Sequence, residues 1–192
     1  MDDQADNISH GLTTLSPTFQ DAAAAFLGVT QAKQLLDARE QALILIALNV
    51  AVTHLNVPAL RGHIGAALDA GATGPEIAEV FQLVSVLGIH AVSLGLPALL
   101  DTLDDAGLAD HSTDLSAEKE NLKQGFMAAR GYWNPFWEKV LHFDPDLLAA
   151  YARFSSVPWE EGVLPGRLRE LIYVAIDAST THMFDEGTRQ HM

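Results

Sequence analysis

The strongest constraint on the fold of this chain is that its sequence repeats itself at an offset of 128 residues. Across positions 17–63 this offset gives 14 identical residues. Alanine and leucine matches arise easily by chance, but the identities also include five polar pairs: His54/His182, His63/His191, Arg39/Arg167, Arg61/Arg189 and Thr53/Thr181. Such self-similarity predicts two copies of one supersecondary unit.

The repeat also predicts how the chain is divided. Met192 corresponds to Ile64, so the second copy lacks a counterpart to everything after that position. We therefore expect an incomplete second copy: either the chain is truncated at this point, or the exposed helix of the second copy docks on a partner subunit. Polar residues between the copies favour a loop there. The predicted segments are a flexible N-terminus at 1–16, a first repeat at 17–104, a linker at 105–116 and a second repeat at 117–192.

Composition and helix punctuation predict an all-α fold. Alanine and leucine dominate, and no stretch alternates as a half-buried strand does. Asp144-Pro145 looks like an N-cap followed by proline at the first helical position. Thr73 and Glu76 have the spacing of a capping box that opens a long apolar helix.

Composition excludes several classes of protein and site. The chain has no cysteine, which excludes disulfides, thiolate metal sites and thiol nucleophiles. Its net charge is −14, and no local cluster of lysine or arginine offsets that charge. Nucleic acid is therefore not an expected partner.

Neither an export signal nor a membrane span is predicted. The acidic start MDDQADNISHGL lacks the basic residues and apolar run of a signal peptide. The apolar stretches Ala42–Val52 and Val84–Leu100 are interrupted by polar residues or glycine before they reach about 18 apolar residues. These features predict buried helices in a soluble, cytoplasmic protein.

The repeated histidines are the first candidates for chemistry. His54 and His63 fall on apolar rows of their predicted helices, so we expect both to be partly buried. Taken singly, each could be a satisfied core histidine. However, Thr-His and Arg-x-His recur in both copies, and proton transfer requires imidazole where packing alone would accept leucine or methionine. We therefore place His63 first among the acid–base candidates, with His54 as a second.

Other residues are weaker candidates. Glu79 could orient a histidine, or could lie on a solvated face, whereas Glu76 is interpreted as the capping acid. His90 lies on an apolar row and could line a pocket. The aromatic tract at 131–137 could wall a pocket, with core or interface packing as the alternative. No HxH, HxxxH or HExxH spacing occurs, so no metal site is predicted.

The run RGHIGAALDAGATGPEIAEV, from Arg61 to Val80, resembles the signature of the carboxymuconolactone decarboxylase and alkylhydroperoxidase D-like superfamily. The resemblance continues through Gly95-Leu96-Pro97, and the second copy is similar from Arg169 to His191. With the 131–137 tract, the chain resembles two-repeat members of that superfamily. The resemblance implies an all-helical subunit that forms a homo-oligomer, trimer or hexamer, and acts on a small molecule.

The resemblance also limits the activity. Peroxidase members carry Cys-x-x-Cys ending four residues before the conserved histidine. Those positions are Asn56 and Ala59 in the first copy and Phe184 and Gly187 in the second, so thiol peroxidase activity is excluded. The decarboxylase branch requires neither cysteine nor cofactor. For that branch the resemblance implies His63 as the functional histidine, with His191 as its counterpart.

Two hypotheses of function follow. In the first, the chain is a cofactor-independent decarboxylase, lyase or isomerase of a small carboxylated or lactone-type metabolite. His63 is then the general acid and base, and Arg61 or Arg39 holds the substrate carboxylate. His90 and His191 would contribute to substrate binding. In the second, the chain is a catalytically silent member that acts in binding or assembly.

Overall fold

The computed structural model of the protein describes residues 16–109 and 115–192. The predicted all-α class is confirmed, because the described residues form helices and contain no strand. The N-terminal segment predicted to be flexible lies, apart from Ser16, outside the described residues, as does the centre of the predicted linker. In chain order the helices are α1 Pro17–Gln31, α2 Ala38–Val50, α3 Val57–Asp69, α4 Gly74–Val86, α5 His90–Asp105, α6 Ala117–Arg130, α7 Pro135–Phe143, α8 Pro145–Glu161, α9 Gly166–Asp177 and α10 Asp185–His191.

Side-chain caps fix where several helices begin. Asp144 Oδ1 accepts a hydrogen bond from the Leu147 amide at 2.9 Å at the start of α8. Before α4, the Thr73 amide donates to Glu76 Oε2 at 2.7 Å, and the Glu76 amide donates to Thr73 Oγ1 at 3.4 Å. These bonds satisfy amides that have no acceptor within their own helix. Both caps predicted from the sequence are confirmed.

The described chain forms two compact units. The first contains residues 16–84 and 163–192, and the second contains 85–109 and 115–162. The units therefore do not follow the predicted repeat boundaries, because the first unit combines helices from both predicted repeats. Its central contact is between α2 and α9, which occupy matching positions in the two copies. The repeat boundaries themselves stay a prediction.

The core of the first unit is built mainly from the apolar faces of α2 and α9. α3 packs on α2, and α10 packs on α9. Burial of each leucine or isoleucine side chain contributes about 1.5–3 kcal/mol relative to exposure. The most deeply buried aliphatic residues of the two helices are Leu43, Ile46, Ala47, Leu168, Ile172 and Ile176.

The turns after α2 and α9 have the same geometry at positions 128 residues apart. Leu55 has φ 48° and Met183 has φ 50°, a left-handed conformation that is uncommon outside glycine. The Leu55 amide donates to Ala51 O at 2.9 Å, and the Met183 amide donates to Ser179 O at 2.8 Å. This agreement supports the repeat proposed from the sequence.

Matched residues also meet each other where α2 and α9 pack. The Oγ1 atoms of Thr53 and Thr181 lie 3.5 Å apart. Asn49 and Asp177, again 128 residues apart, are both buried. Contact between a residue and its own counterpart is the pattern of a two-fold interface. Here both halves of that interface belong to one chain.

Asp177 is a carboxyl group with no exposed surface, lying beneath α10. Glycine at 187 permits this approach, because a Cβ there would collide with the Asp177 carboxylate. Burial raises the pKa of Asp177 from 3.8 to about 6, against an opposing contribution from His191. In the first copy the residue is Asn49, whose Nδ2 donates to Leu45 O at 2.8 Å.

A buried ion pair joins α4 to the segment leading into α9. Glu79 Oε2 accepts hydrogen bonds from the amides of Val163 at 2.5 Å and Leu164 at 2.7 Å. Its Oε1 accepts one from Arg169 Nε at 2.5 Å. The two charged side chains are only 3% and 9% exposed. Such a pair is tolerated inside a protein because each charge has a partner and additional hydrogen bonds.

The second unit is organised around aromatic side chains. The Trp137 ring lies 4.9 Å from the Phe126 ring and stacks on Tyr151 at 5.3 Å, measured between centroids. Trp133 meets the Phe126 ring edge-on at 5.4 Å. Phe126 and Trp137 are buried. The 131–137 tract thus contributes to the core of this unit, which was the second of its two predicted roles.

One helical stretch among the described residues, Gly74–Asp105, is 32 residues long and apolar enough to cross a membrane by length and composition. Only 28% of its most apolar window is buried. The expectation of no membrane span depended on the polar and glycine residues inside this stretch. Core helices of soluble proteins meet the same criterion, so the stretch is weak evidence for a membrane location.

We expect Glu79→Gln to lower the free energy of unfolding by about 3 kcal/mol, because it removes the carboxylate charge that pairs with the buried Arg169 guanidinium. The matched control is Glu40→Gln, which removes a 2.6 Å ion pair to Arg167, a side chain that is 59% exposed. An exposed pair contributes about 0–1 kcal/mol. Urea unfolding followed by circular dichroism measures both variants. Equal losses would contradict the role assigned to Glu79.

Asp177 should make stability depend on pH. Because its pKa is raised to about 6, the folded protein keeps a proton that the unfolded chain loses near pH 3.8. The stability from this group is complete below pH 3.8 and is lost as the pH rises to about 6. Asp177→Asn, which introduces the residue of the first copy, should therefore stabilise the protein on the order of 1 kcal/mol at pH 8 and hardly at pH 4. Thermal unfolding at both pH values tests this, and an equal change at both would contradict it.

Candidate active site

The first unit brings a histidine and a carboxylate into direct contact. His191 Nδ1 lies 2.7 Å from Glu170 Oε2. The imidazole also stacks on Tyr173, with ring centroids 4.5 Å apart and planes inclined by 28°. His191 is half-buried and Tyr173 is buried. The carboxylate and the phenol ring together fix both the position and the plane of the imidazole.

The local sequence explains this arrangement. Glu170, Tyr173 and Asp177 are spaced i, i+3 and i+7 on α9, so they lie along one face of the helix. α10 packs on α9 and carries His191. The first copy cannot form the same pair, because its corresponding residues on α2 are Ala42, Leu45 and Asn49.

A second histidine lies near the buried end of this face. His182 Nε2 is 3.6 Å from Asp177 Oδ1, which exceeds ordinary hydrogen-bond distance. Burial lowers the pKa of His182 and raises the pKa of Asp177, so it favours the neutral form of each. Their ligand atoms lie within 4.8 Å of each other, so the pair could contribute to a metal site. The expectation of no metal stays a prediction.

His63 and its neighbours occupy the first copy. His63 is half-buried on α3, and burial lowers its pKa, which favours the neutral imidazole that accepts a proton. Arg61 is exposed on the same helix, about 200° around the axis from His63. The expectation of partial burial is wrong for His54, which is exposed because α2 ends at Val50 and His54 lies in the following turn.

The remaining candidates are placed differently. The Arg39 guanidinium forms an ion pair with Glu76, the residue that also caps α4. Both oxygens of Glu79 accept hydrogen bonds from the protein itself. His90 is buried at the first residue of α5 and belongs to the second unit. Arg39 and Glu79 therefore hold the first unit together, and the pairing of Glu79 with Arg169 accounts for its burial.

The His191–Glu170 pair has the geometry of an acid–base group. With the proton of Nδ1 directed to the carboxylate, Nε2 keeps its lone pair and can accept a proton from a bound molecule. Glu170 then lies where it stabilises the imidazolium that forms. The same ring can return the proton to another atom of that molecule.

From the sequence, His191 is predicted only as a binding residue, and Glu170 and Tyr173 have no predicted role. One signal was available: at the 128-residue offset, Glu170 and Tyr173 stand where the first copy has Ala42 and Leu45. A carboxylate present in one copy only, on the helix that precedes a repeated histidine, distinguishes the two copies chemically.

Comparison with known proteins identifies the family. Residues 17–102 match the model of the carboxymuconolactone decarboxylase family. A crystal structure from Burkholderia xenovorans, described as a candidate gamma-carboxymuconolactone decarboxylase subunit, is 43% identical with a TM-score of 0.84; the match covers 94% of this chain and 72% of that one. No curated protein sequence matches. The similarity in sequence and fold shows that the chain belongs to the carboxymuconolactone decarboxylase family.

Proposed function

We propose that this protein is a cofactor-independent decarboxylase of a small carboxylated lactone, with His191 as its general acid and base. Family membership supports a decarboxylase-like activity. The observation that carries the assignment of the residue is the 2.7 Å contact between His191 Nδ1 and Glu170, with Tyr173 stacked on the ring. The Burkholderia protein's description supports gamma-carboxymuconolactone as the first substrate to test.

The proposed reaction needs only proton transfer from the protein. The bond between the lactone and its carboxylate breaks, carbon dioxide leaves, and the electron pair is delocalised into the lactone carbonyl as a dienolate. The imidazolium of His191 donates a proton to a carbon of this dienolate and becomes neutral. It is protonated again by solvent, so no oxidant or reductant is consumed.

His63 and Arg61 are retained as candidates in the first copy. The pKa of His63 is lowered by desolvation alone. In the first copy, the residue that corresponds to Glu170 is Ala42. The carboxylate of Glu170 is therefore not repeated at the matching position of the first copy. Arg61 is better suited than Arg39 to hold a substrate carboxylate, because the guanidinium of Arg39 already pairs with Glu76.

Turnover of 4-carboxymuconolactone by variants tests this assignment. We expect His191→Ala to lower kcat by about 10²-fold or more, because the dienolate loses its proton donor. Glu170→Gln should cause a smaller loss, on the order of tenfold, because the ring is retained but less firmly oriented. Carbon dioxide release, with the product identified by NMR, measures each rate.

The control for these variants is His142→Ala. His142 Nε2 lies 3.4 Å from Glu138 Oε1, a second His–Glu pair, in the other unit. The His142→Ala variant should turn over the substrate at the wild-type rate. Activity lost in His63→Ala but retained in His191→Ala would move the role to the first copy. No turnover by wild type would overturn the decarboxylase proposal and favour the silent binding or assembly protein.

We also propose that the chain acts in the cytoplasm as a homo-oligomer, a trimer or hexamer as its family resemblance implies. The description of the Burkholderia protein as a subunit supports assembly. α1 also exposes large apolar side chains, and exposed apolar patches are typical of interfaces. Those of α1 that are more than half exposed are Phe19, Phe26, Leu27 and Val29.

Assembly predicts the mass in solution. Sedimentation velocity should show a species at least three times the 20.7 kDa of one chain. Phe26→Asp should shift the distribution toward smaller species, because it places a charge on the proposed contact surface. A wild-type protein that sediments only at 20.7 kDa at micromolar concentration would contradict the proposal.

A further inference from the structure

We propose that the second unit binds a small monocarboxylate with an apolar body, in the groove between α6 and α8, with Arg130 holding the carboxylate. All residues of the groove belong to the second unit, whereas those of the candidate active site belong to the first. This ligand site therefore does not depend on the proposed decarboxylase activity.

The groove exists because small residues line it. Its volume is about 330 Å³, at the lower end of the range for small-molecule sites. Gly125 and Ala129 of α6 and Ala152 of α8 line the groove beside Phe126, which is buried. A Cβ built on Gly125 would meet no atom within 4 Å. The apolar part of the groove can thus accept a body the size of a single ring.

Arg130 is held in a defined position at this groove. Its Nη2 donates hydrogen bonds to Ala152 O at 3.3 Å, to Ser156 Oγ at 3.4 Å and to Ser155 Oγ. The guanidinium carbon lies 5.6 Å from the centre of the Phe126 ring. These contacts orient the guanidinium before any ligand arrives, which reduces the entropy that binding would cost.

Arg130 forms no ion pair with another residue of the described part of the chain. The three hydrogen-bond acceptors of Arg130 are all uncharged oxygens. Lys123, on the same helix, differs in that it forms an ion pair with Glu138 at 2.7 Å. No hydrogen bond from Arg130 Nε or Nη1 to a described residue is found. A half-buried cation with unused donors in a fork geometry suits a carboxylate, which accepts two parallel hydrogen bonds.

Charged residues along α8 restrict the ligand further. Arg153 also lines the groove and is exposed, which adds a second positive charge. Glu160 also lines it, one turn beyond Ser156, which Arg130 contacts, and so about 6 Å further along the helix axis. A second carboxylate on the ligand would be repelled at the Glu160 end. The groove therefore favours a monocarboxylate over a dicarboxylate of similar size.

Phenylacetate is a suitable probe, because it joins one carboxylate to one apolar ring. Isothermal titration calorimetry of the full chain should give a Kd in the millimolar range, as expected for about ten heavy atoms. Phenylacetamide, which has the same shape without the charge, should bind at least tenfold more weakly. Arg130→Met should weaken phenylacetate binding at least tenfold. Lys139→Met, which removes an exposed charge elsewhere in the same unit, should leave the Kd unchanged.

A second variant tests the groove without altering the arginine. Gly125→Leu places a side chain in the open space and should abolish phenylacetate binding, whereas Gly125→Ala should retain most of it. Thermal unfolding establishes that each variant is folded. Equal affinity for phenylacetate and phenylacetamide would overturn the proposal. So would unchanged binding in folded Arg130→Met, or no binding by wild type at 50-fold above the expected Kd.

Discussion

The arrangement of the first unit depends on the buried carboxylate of Glu79. It receives two backbone amides and the Arg169 side chain, and so fixes both the start of α9 and the rotation of that helix about its axis. Arg169 and Glu170 are adjacent, so their side chains point about 100° apart. With Arg169 directed to Glu79, Glu170 is directed to His191. A structural ion pair thus positions the candidate acid–base pair without contributing to it.

The two copies keep the same turn but differ in which residues their helices bury. Leu43 is buried where Leu171 is half-buried, and Ile172 is buried where Ile44 is half-buried. Leu55 and Met183, in the turns that follow, share a left-handed conformation. On one face of α9, by contrast, alanine, leucine and asparagine of the first copy are replaced by Glu170, Tyr173 and Asp177. The polar residues of this face are therefore specific to the second copy.

The sequence was sufficient for the fold class, the helix caps and the family, because these depend on periodicity and on local spacing. It was insufficient for the site. Helical periodicity indicates which face is apolar but not which element covers it, and His191 meets Glu170 only because a turn brings α10 back onto α9. His63 was predicted as the acid–base residue because the family motif around it is more complete than the motif around His191. His54 shows a related limit. It was predicted to be partly buried on a helix, but α2 ends at Val50, so His54 lies in the following turn and is exposed.

The meeting of Thr53 with Thr181 has a consequence for how the first unit holds together. In a dimer of single repeats, this contact would be made between two chains and would be lost on dilution. Joined in one chain, the two halves meet at a high effective concentration that does not depend on the amount of protein. Such a connection also removes the requirement that both halves be identical. Glu170 could therefore arise in one copy while the matching position of the other stayed Ala42, which a symmetric pair of identical chains could not have allowed.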